Sequence, residues 1–178
     1  MGSRRLNYLL YQVGWFACVF GAVTDHPWLG AAAGAILAGL HVTWAQRRGD
    51  ELVLVLSAVV AGFLVDGLQI HLGRLEFPAQ PAGSPVPPLW LLVMWAQFGS
   101  TLRFSLRWLS DHWFKAVAFG ALGGPLAYLG GARLEAVRIA EPVAQSLLGL
   151  AVLWALAVPG LAVLARAGLG RPGAGGYR

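Results

Sequence analysis

Cysteine is nearly missing: Cys18 stands alone in 178 residues, which excludes a disulfide framework within the chain and a cysteine-built metal site. Charge is scarce as well. Only 12% of the residues are Asp, Glu, Lys or Arg against 57% hydrophobic, too little polar material to coat a soluble globule of this size. The signatures of soluble catalysis are also missing, with no His-x-x-x-His, no His-Glu-x-x-His, no Gly-x-Ser-x-Gly and no phosphate-binding glycine loop. No cofactor and no metal is expected. Thirteen Lys and Arg stand against eight Asp and Glu, but they lie singly or in pairs between apolar runs, which argues against nucleic acid as a partner.

What the chain has in abundance is apolar runs. Six of them, each roughly 18 to 23 residues, match the length an α-helix needs to cross a hydrocarbon core of about 30 Å. The spacing predicts helices over about Leu6–Val23, Trp28–Ala45, Leu52–Leu72, Pro88–Leu109, Trp113–Gly131 and Val143–Ala165. The expected fold is therefore an all-α bundle of six transmembrane helices spanning residues 1–167, with a disordered Gly-rich tail at 168–178. Arg4 and Arg5 ahead of an apolar run imitate a secretory signal, but Leu6–Val23 is long for a signal core and is interrupted by Asn7 and Gln12. It is read as an uncleaved first helix.

Short polar turns join most spans, and Pro27 suits the first turn of the second helix. Asp50 and Glu51 open the third, where the helix dipole favours acids. Between Gly73 and Pro87 the prolines at 78, 81, 85 and 87 predict an extended connection poor in hydrogen bonds. Pro125 and Pro159 fall inside the fifth and sixth helices, and a kink is expected near Ala155.

Six crossings place both termini on one side. With the N-terminus inside, ten basic residues (Arg4, Arg5, Arg47, Arg48, Arg103, Arg107, Lys115, Arg166, Arg171, Arg178) share that face against three (Arg74, Arg133, Arg138) opposite. That asymmetry predicts both termini in the cytoplasm of a bacterial inner membrane. Trp28, Trp44, Trp90, Trp108 and Trp113 fall near span ends, whereas Trp15, Trp95 and Trp154 fall deeper and are expected to pack between helices.

Helices associate in lipid through small residues that let backbones approach. Gly30, Gly34 and Ala38 offer one such seam and Gly120 with Gly124 another, either within the chain or toward a second copy or a partner membrane protein. Leu72-Gly73-Arg74-Leu75-Glu76 and Gly131-Ala132-Arg133-Leu134-Glu135 echo each other at two span ends on the same face.

Asp66 is the leading site candidate, because an ionised carboxylate inside a span costs several kcal/mol unless paired or protonated. Gln69 is one turn away and His71 stands near the helix mouth, so acid, amide and imidazole fall within about 8 Å along the axis. The set could bind a head group or pass a proton. Equally, Asp66 could hold its helix to a neighbour, neutral or paired with Arg133. A second cluster gathers Asn7, Gln12, His41, Ser100, Thr101 and Arg103 toward the cytoplasmic side. Arg103 and Arg107, four apart on one expected face, suit a lipid phosphate, or they simply snorkel to the interface.

The motifs Gln12-x-x-Trp15-Phe16, Asp66, Pro88-Leu89-Trp90 with Trp95 and Phe98, Thr101-Leu102-x-x-Ser105-Leu106-x-Trp108-Leu109 and Gly124-Pro125-Leu126-Ala127-Tyr128 with Gly131 and Ala132 occur in an order that resembles the DUF2878 family over nearly the whole chain. The resemblance implies a small bacterial inner-membrane protein without an assigned activity, of a kind often encoded near cyclopropane-fatty-acid-type methyltransferases and envelope-stress regulators and hence in a lipid-modification setting. Two positions depart from the family pattern, Arg103 where Asn is expected and Glu135 where Gly is expected. The resulting reading is an accessory protein that binds membrane lipid or an acyl substrate, with Asp66, Gln69, Tyr128, His71 and Gln12 as ligand-binding candidates. A small proton-coupled transporter using Asp66, or a non-catalytic assembly subunit, are the alternatives, and whether the protein is an enzyme is left open.

Overall fold

The structure, a computed structural model, describes residues 4–169. These form α1 (Arg4–Val23), α2 (Pro27–Trp44), α3 (Arg48–His71), α4 (Leu89–Thr101), a short 3-10 helix (Arg107–Asp111), α5 (Trp113–Arg133) and α6 (Val143–Leu169), with two-residue strands β1 (Leu75–Glu76) and β2 (Arg138–Ile139). The all-helical expectation holds. Three helices rather than six, however, are long and apolar enough to cross a membrane: α1, α3 and α6. With thirteen residues, α4 rises only about 20 Å at roughly 1.5 Å per residue, short of a core of about 30 Å. In α2 and α5 the apolar character is diluted by glycines and by His41 and Lys115.

α4 was expected to reach Leu109 and stops at Thr101. The hydroxyls of Ser100 and Thr101 donate back to the carbonyls of Gln97 and Phe98 at 2.7 and 2.6 Å, a local alternative to the helical ladder. Tight turns follow, with Leu102 N–H on the Gly99 carbonyl and Leu106 N–H on that of Thr101. Arg103 and Arg107 therefore do not share a helical face. α5 and α6, by contrast, run through Pro125 and Pro159 without a break.

α4 sits at the centre, touching α1, α2 and α3, while α5 packs along α6 and α6 reaches α3. Both glycine seams close inside the chain. A Cβ at Gly30 would strike the backbone of Ala17 and Cys18, and at Gly120 and Gly124 it would strike the carbonyl and the ring of Trp154. The Cys18 thiol is buried and donates to the Gly30 carbonyl at 3.5 Å. Trp28, Trp44, Trp108 and Trp113 are exposed, but Trp90 is not: only 3% of it is accessible, and it packs edge-on to Phe77 at 5.7 Å.

The proline-rich connection is more ordered than expected. Leu75 and Glu76 pair antiparallel with Ile139 and Arg138, so the two echoing span ends meet. Each ends its helix the same way: Arg74 N–H returns to the Gln69 carbonyl around Gly73 at φ +66°, and Ala136 N–H returns to the Gly131 carbonyl around Glu135 at φ +64°. This is the left-handed helix stop that favours glycine. Glu135→Gly removes a Cβ penalty of about 1–2 kcal/mol at the cost of about 0.5–1 kcal/mol of chain entropy. A rise in the thermal unfolding midpoint of the detergent-solubilised protein is expected, and a fall would contradict this account. α6 extends to Leu169, and the rest of the expected tail lies outside the described residues.

Candidate functional site: a buried carboxyl beside an aromatic cavity

Two pairs of residues, each one helical turn apart, build the centre of the molecule. On α3, Gly62 and Asp66 face Trp95 of α4: a Cβ at Gly62 would overlap the indole ring, while the indole Nε1 donates to Asp66 Oδ2 at 2.8 Å. On α5, Gly124 leaves room for the ring of Trp154, and Tyr128 donates its hydroxyl to Asp66 Oδ1. The two indoles lie against each other with centroids 4.4 Å apart. The order is thus Gly62, Trp95, Trp154, Gly124 across the bundle, with Asp66 and Tyr128 joined one turn along.

Asp66 is fully buried and takes no ion pair among the described residues. Arg133, the expected partner, is exposed. A carboxyl acceptor satisfied by two neutral donors ties α3 to α4 and α5 simultaneously. Gln69 is fully buried too, but it turns to α6, donating to the Ser146 carbonyl at 3.4 Å and accepting from Arg74 Nη1 at 3.4 Å. His71 is exposed and does not join Asp66. Gln12 is also elsewhere, donating to the Tyr8 hydroxyl at 2.6 Å.

Beside the indole pair lies a narrow cavity of about 50 Å³, lined among others by Tyr11, Trp15, Trp90, Met94, Tyr128 and Trp154, and by no charged side chain. Its α1 wall is Tyr11, Trp15 and Val19, a stripe at four-residue spacing visible in the sequence but overshadowed by Gln12, the polar neighbour. Two of its indole nitrogens, Trp90 Nε1 and Trp154 Nε1, are buried without a hydrogen-bond partner.

The second expected cluster does assemble, around a residue the sequence assigned only to a helix dipole. Glu51 is fully buried; its Oε1 accepts from Arg103 Nη1 at 3.2 Å and its Oε2 lies 3.3 Å from His41 Nε2. Arg103 Nε donates to the Ala165 carbonyl at 3.1 Å, and the His41 ring meets Phe104 edge-on at 4.8 Å. Nearby, Asn7 donates to the Ser100 carbonyl at 3.2 Å and accepts from Ser105 at 2.7 Å. Arg103, expected at lipid-phosphate depth, is 6% exposed and its guanidinium is engaged inside the protein; Arg107 is half-buried. Glu51 is where sequence reasoning fell short. The signal available was an Arg in a span with no acid near it in sequence.

Over residues 5–160 the chain matches the model of a family described as "Protein of unknown function (DUF2878)". No curated protein matches it, and no solved structure does.

Proposed function

The chain belongs to the DUF2878 family, and from that premise we propose that it is a multi-pass inner-membrane protein that holds an acyl chain in the aromatic cavity, as an accessory to modification of membrane fatty acids. The observation that carries this reading is the cavity itself, an apolar slot placed against the Asp66–Tyr128–Trp95 hydrogen bonds. Size narrows the ligand. Benzene is accommodated by a cavity of about 150 Å³, so a space of about 50 Å³ favours a thin run of methylenes over a ring.

The outward surface supports placement in lipid. Large apolar side chains are exposed on every long helix, including Leu29 and Ile36 on α2 and Phe114, Leu122 and Leu126 on α5, far more than a soluble monomer shows. On this reading α2 and α5 cross alongside α1, α3 and α6, and α4 together with the tight turns that follow it to Asp111 makes the sixth crossing. Arg4, Arg5, Arg47, Arg48, Lys115 and Arg166 then share the end carrying Asn7 and Ser100, which the positive-inside rule makes cytoplasmic. The enclosure of Asp66 favours binding over a proton-coupled transporter, which needs its carboxyl reachable from both sides.

Mass spectrometry of the purified full chain is expected to find retained acyl lipid above the level of an unrelated membrane protein prepared in the same way. Met94→Trp, which fills the cavity, is expected to reduce that retention at least severalfold. Background retention by the wild type, or full retention by the variant, overturns the reading.

A further inference from the structure

We propose that the acyl ligand is a neutral ester, held by a hydrogen bond from a cavity indole N–H to its carbonyl oxygen. This deepens the acyl-binding reading above and rests on it. Two indole donors of the lining side chains, Trp90 Nε1 and Trp154 Nε1, are buried without a hydrogen-bond partner; Tyr11 also lines the space, and its hydroxyl can both donate and accept. An indole nitrogen can only donate. A buried donor left unmet costs about 1–3 kcal/mol, so a ligand that supplies an acceptor gains over one that does not.

Two further polar groups of the lining are already committed. Trp95 Nε1 is already committed to Asp66 at 2.8 Å, and the Tyr128 hydroxyl donates to the same carboxyl. The unmet indoles therefore ask for an acceptor, which a carbonyl oxygen provides. The site also discriminates by charge. No Lys, Arg or His lines the cavity, so a fatty-acid anion would leave water without a counter-charge, a cost of several kcal/mol. A plain hydrocarbon escapes that cost but leaves the indoles unmet. An ester carries the acceptor without the charge.

The position of Trp90 fits an interfacial carbonyl. It is the second residue of α4, beside Phe77 and the β1–β2 end of the bundle. Trp95, against which Trp154 packs at a tilt, lies five residues further along α4, roughly 7.5 Å deeper at 1.5 Å per residue. A chain anchored by its carbonyl at Trp90 would run inward past the indole pair.

The test uses the full chain in detergent and three probes that quench tryptophan fluorescence: 9,10-dibromostearic acid methyl ester, 9,10-dibromostearic acid at alkaline pH, and a dibromo-octadecane of the same chain length. The ester is expected to bind about tenfold more tightly than the alkane or the acid anion. Trp90→Phe or Trp154→Phe keeps an aromatic ring and loses the N–H, and one of them is expected to abolish the preference for ester over alkane, read as the ratio of the two affinities within that variant. Equal affinity of ester and alkane in the wild type, tighter binding of the anion, or an ester preference that survives both variants overturns the inference while the acyl pocket stands. Binding by none of the three probes overturns the pocket itself.

Discussion

Arg103→Ala is expected to destabilise the protein by about 3–5 kcal/mol, the cost of leaving a fully enclosed carboxylate without its partner. Glu51 is 0% accessible and its Oε1 receives Arg103 Nη1 at 3.2 Å, so no water is at hand to replace the guanidinium. The same substitution frees the Ala165 carbonyl of α6, now bonded to Arg103 Nε. Because α2, α3, α6 and the turn that follows α4 converge on this cluster through His41, Glu51, Ala165 and Arg103, the loss should be felt as cooperative loosening of one end of the bundle. Replacing both charges with apolar residues, Glu51→Leu with Arg103→Met, is expected to recover most of it, since a buried ion pair and a well-packed apolar pair are often equivalent. Denaturant unfolding in detergent, followed by tryptophan fluorescence, measures both. A single substitution costing less than about 1 kcal/mol, the range of an exposed pair, would show that Arg103 is not held inside as described.

At the opposite acid, Asp66→Ala strands two buried donors, the Trp95 N–H and the Tyr128 hydroxyl. Each is expected to cost about 1–3 kcal/mol, in addition to the side-chain volume lost between three helices. Asp66→Asn keeps one acceptor oxygen and should lie between wild type and alanine. Tyr128→Phe removes only its own donor, so a cycle with Asp66→Ala should show coupling of about 0.5–3 kcal/mol. Strict additivity would mean that the two side chains do not act on each other. Thermal unfolding reads these values, and the bromolipid affinities of the folded variants test whether the same contact shapes the cavity wall at Tyr128.

Some of this was legible without coordinates. Asp66 could be singled out because a carboxyl within an apolar run always requires a local explanation, and Gly30, Gly34, Gly120 and Gly124 because only close backbone approach rewards such spacing in lipid. The depth of Trp95 and Trp154 followed from their distance to the span ends. His71 could not be separated from Asp66 and Gln69 by axial distance alone; it stands near the helix end and faces outward. Gln69 is buried, yet its partners, Ser146 at the start of α6 and Arg74 just past the end of α3, are not revealed by any periodicity.

Composition and hydrophobic period by themselves determined that this chain forms apolar helices, where most of them lie, and which polar residues need partners, because those properties belong to each segment and its solvent. Only the tertiary arrangement decided the partners. Asp66 meets two neutral donors instead of Arg133, Glu51 becomes the hub of the second cluster, and α4 ends at Thr101 with Arg103 turned inward. The Asp66 and Glu51–Arg103 pairings join residues tens of positions apart, and which buried donor meets which acceptor depends on how the helices pack around α4.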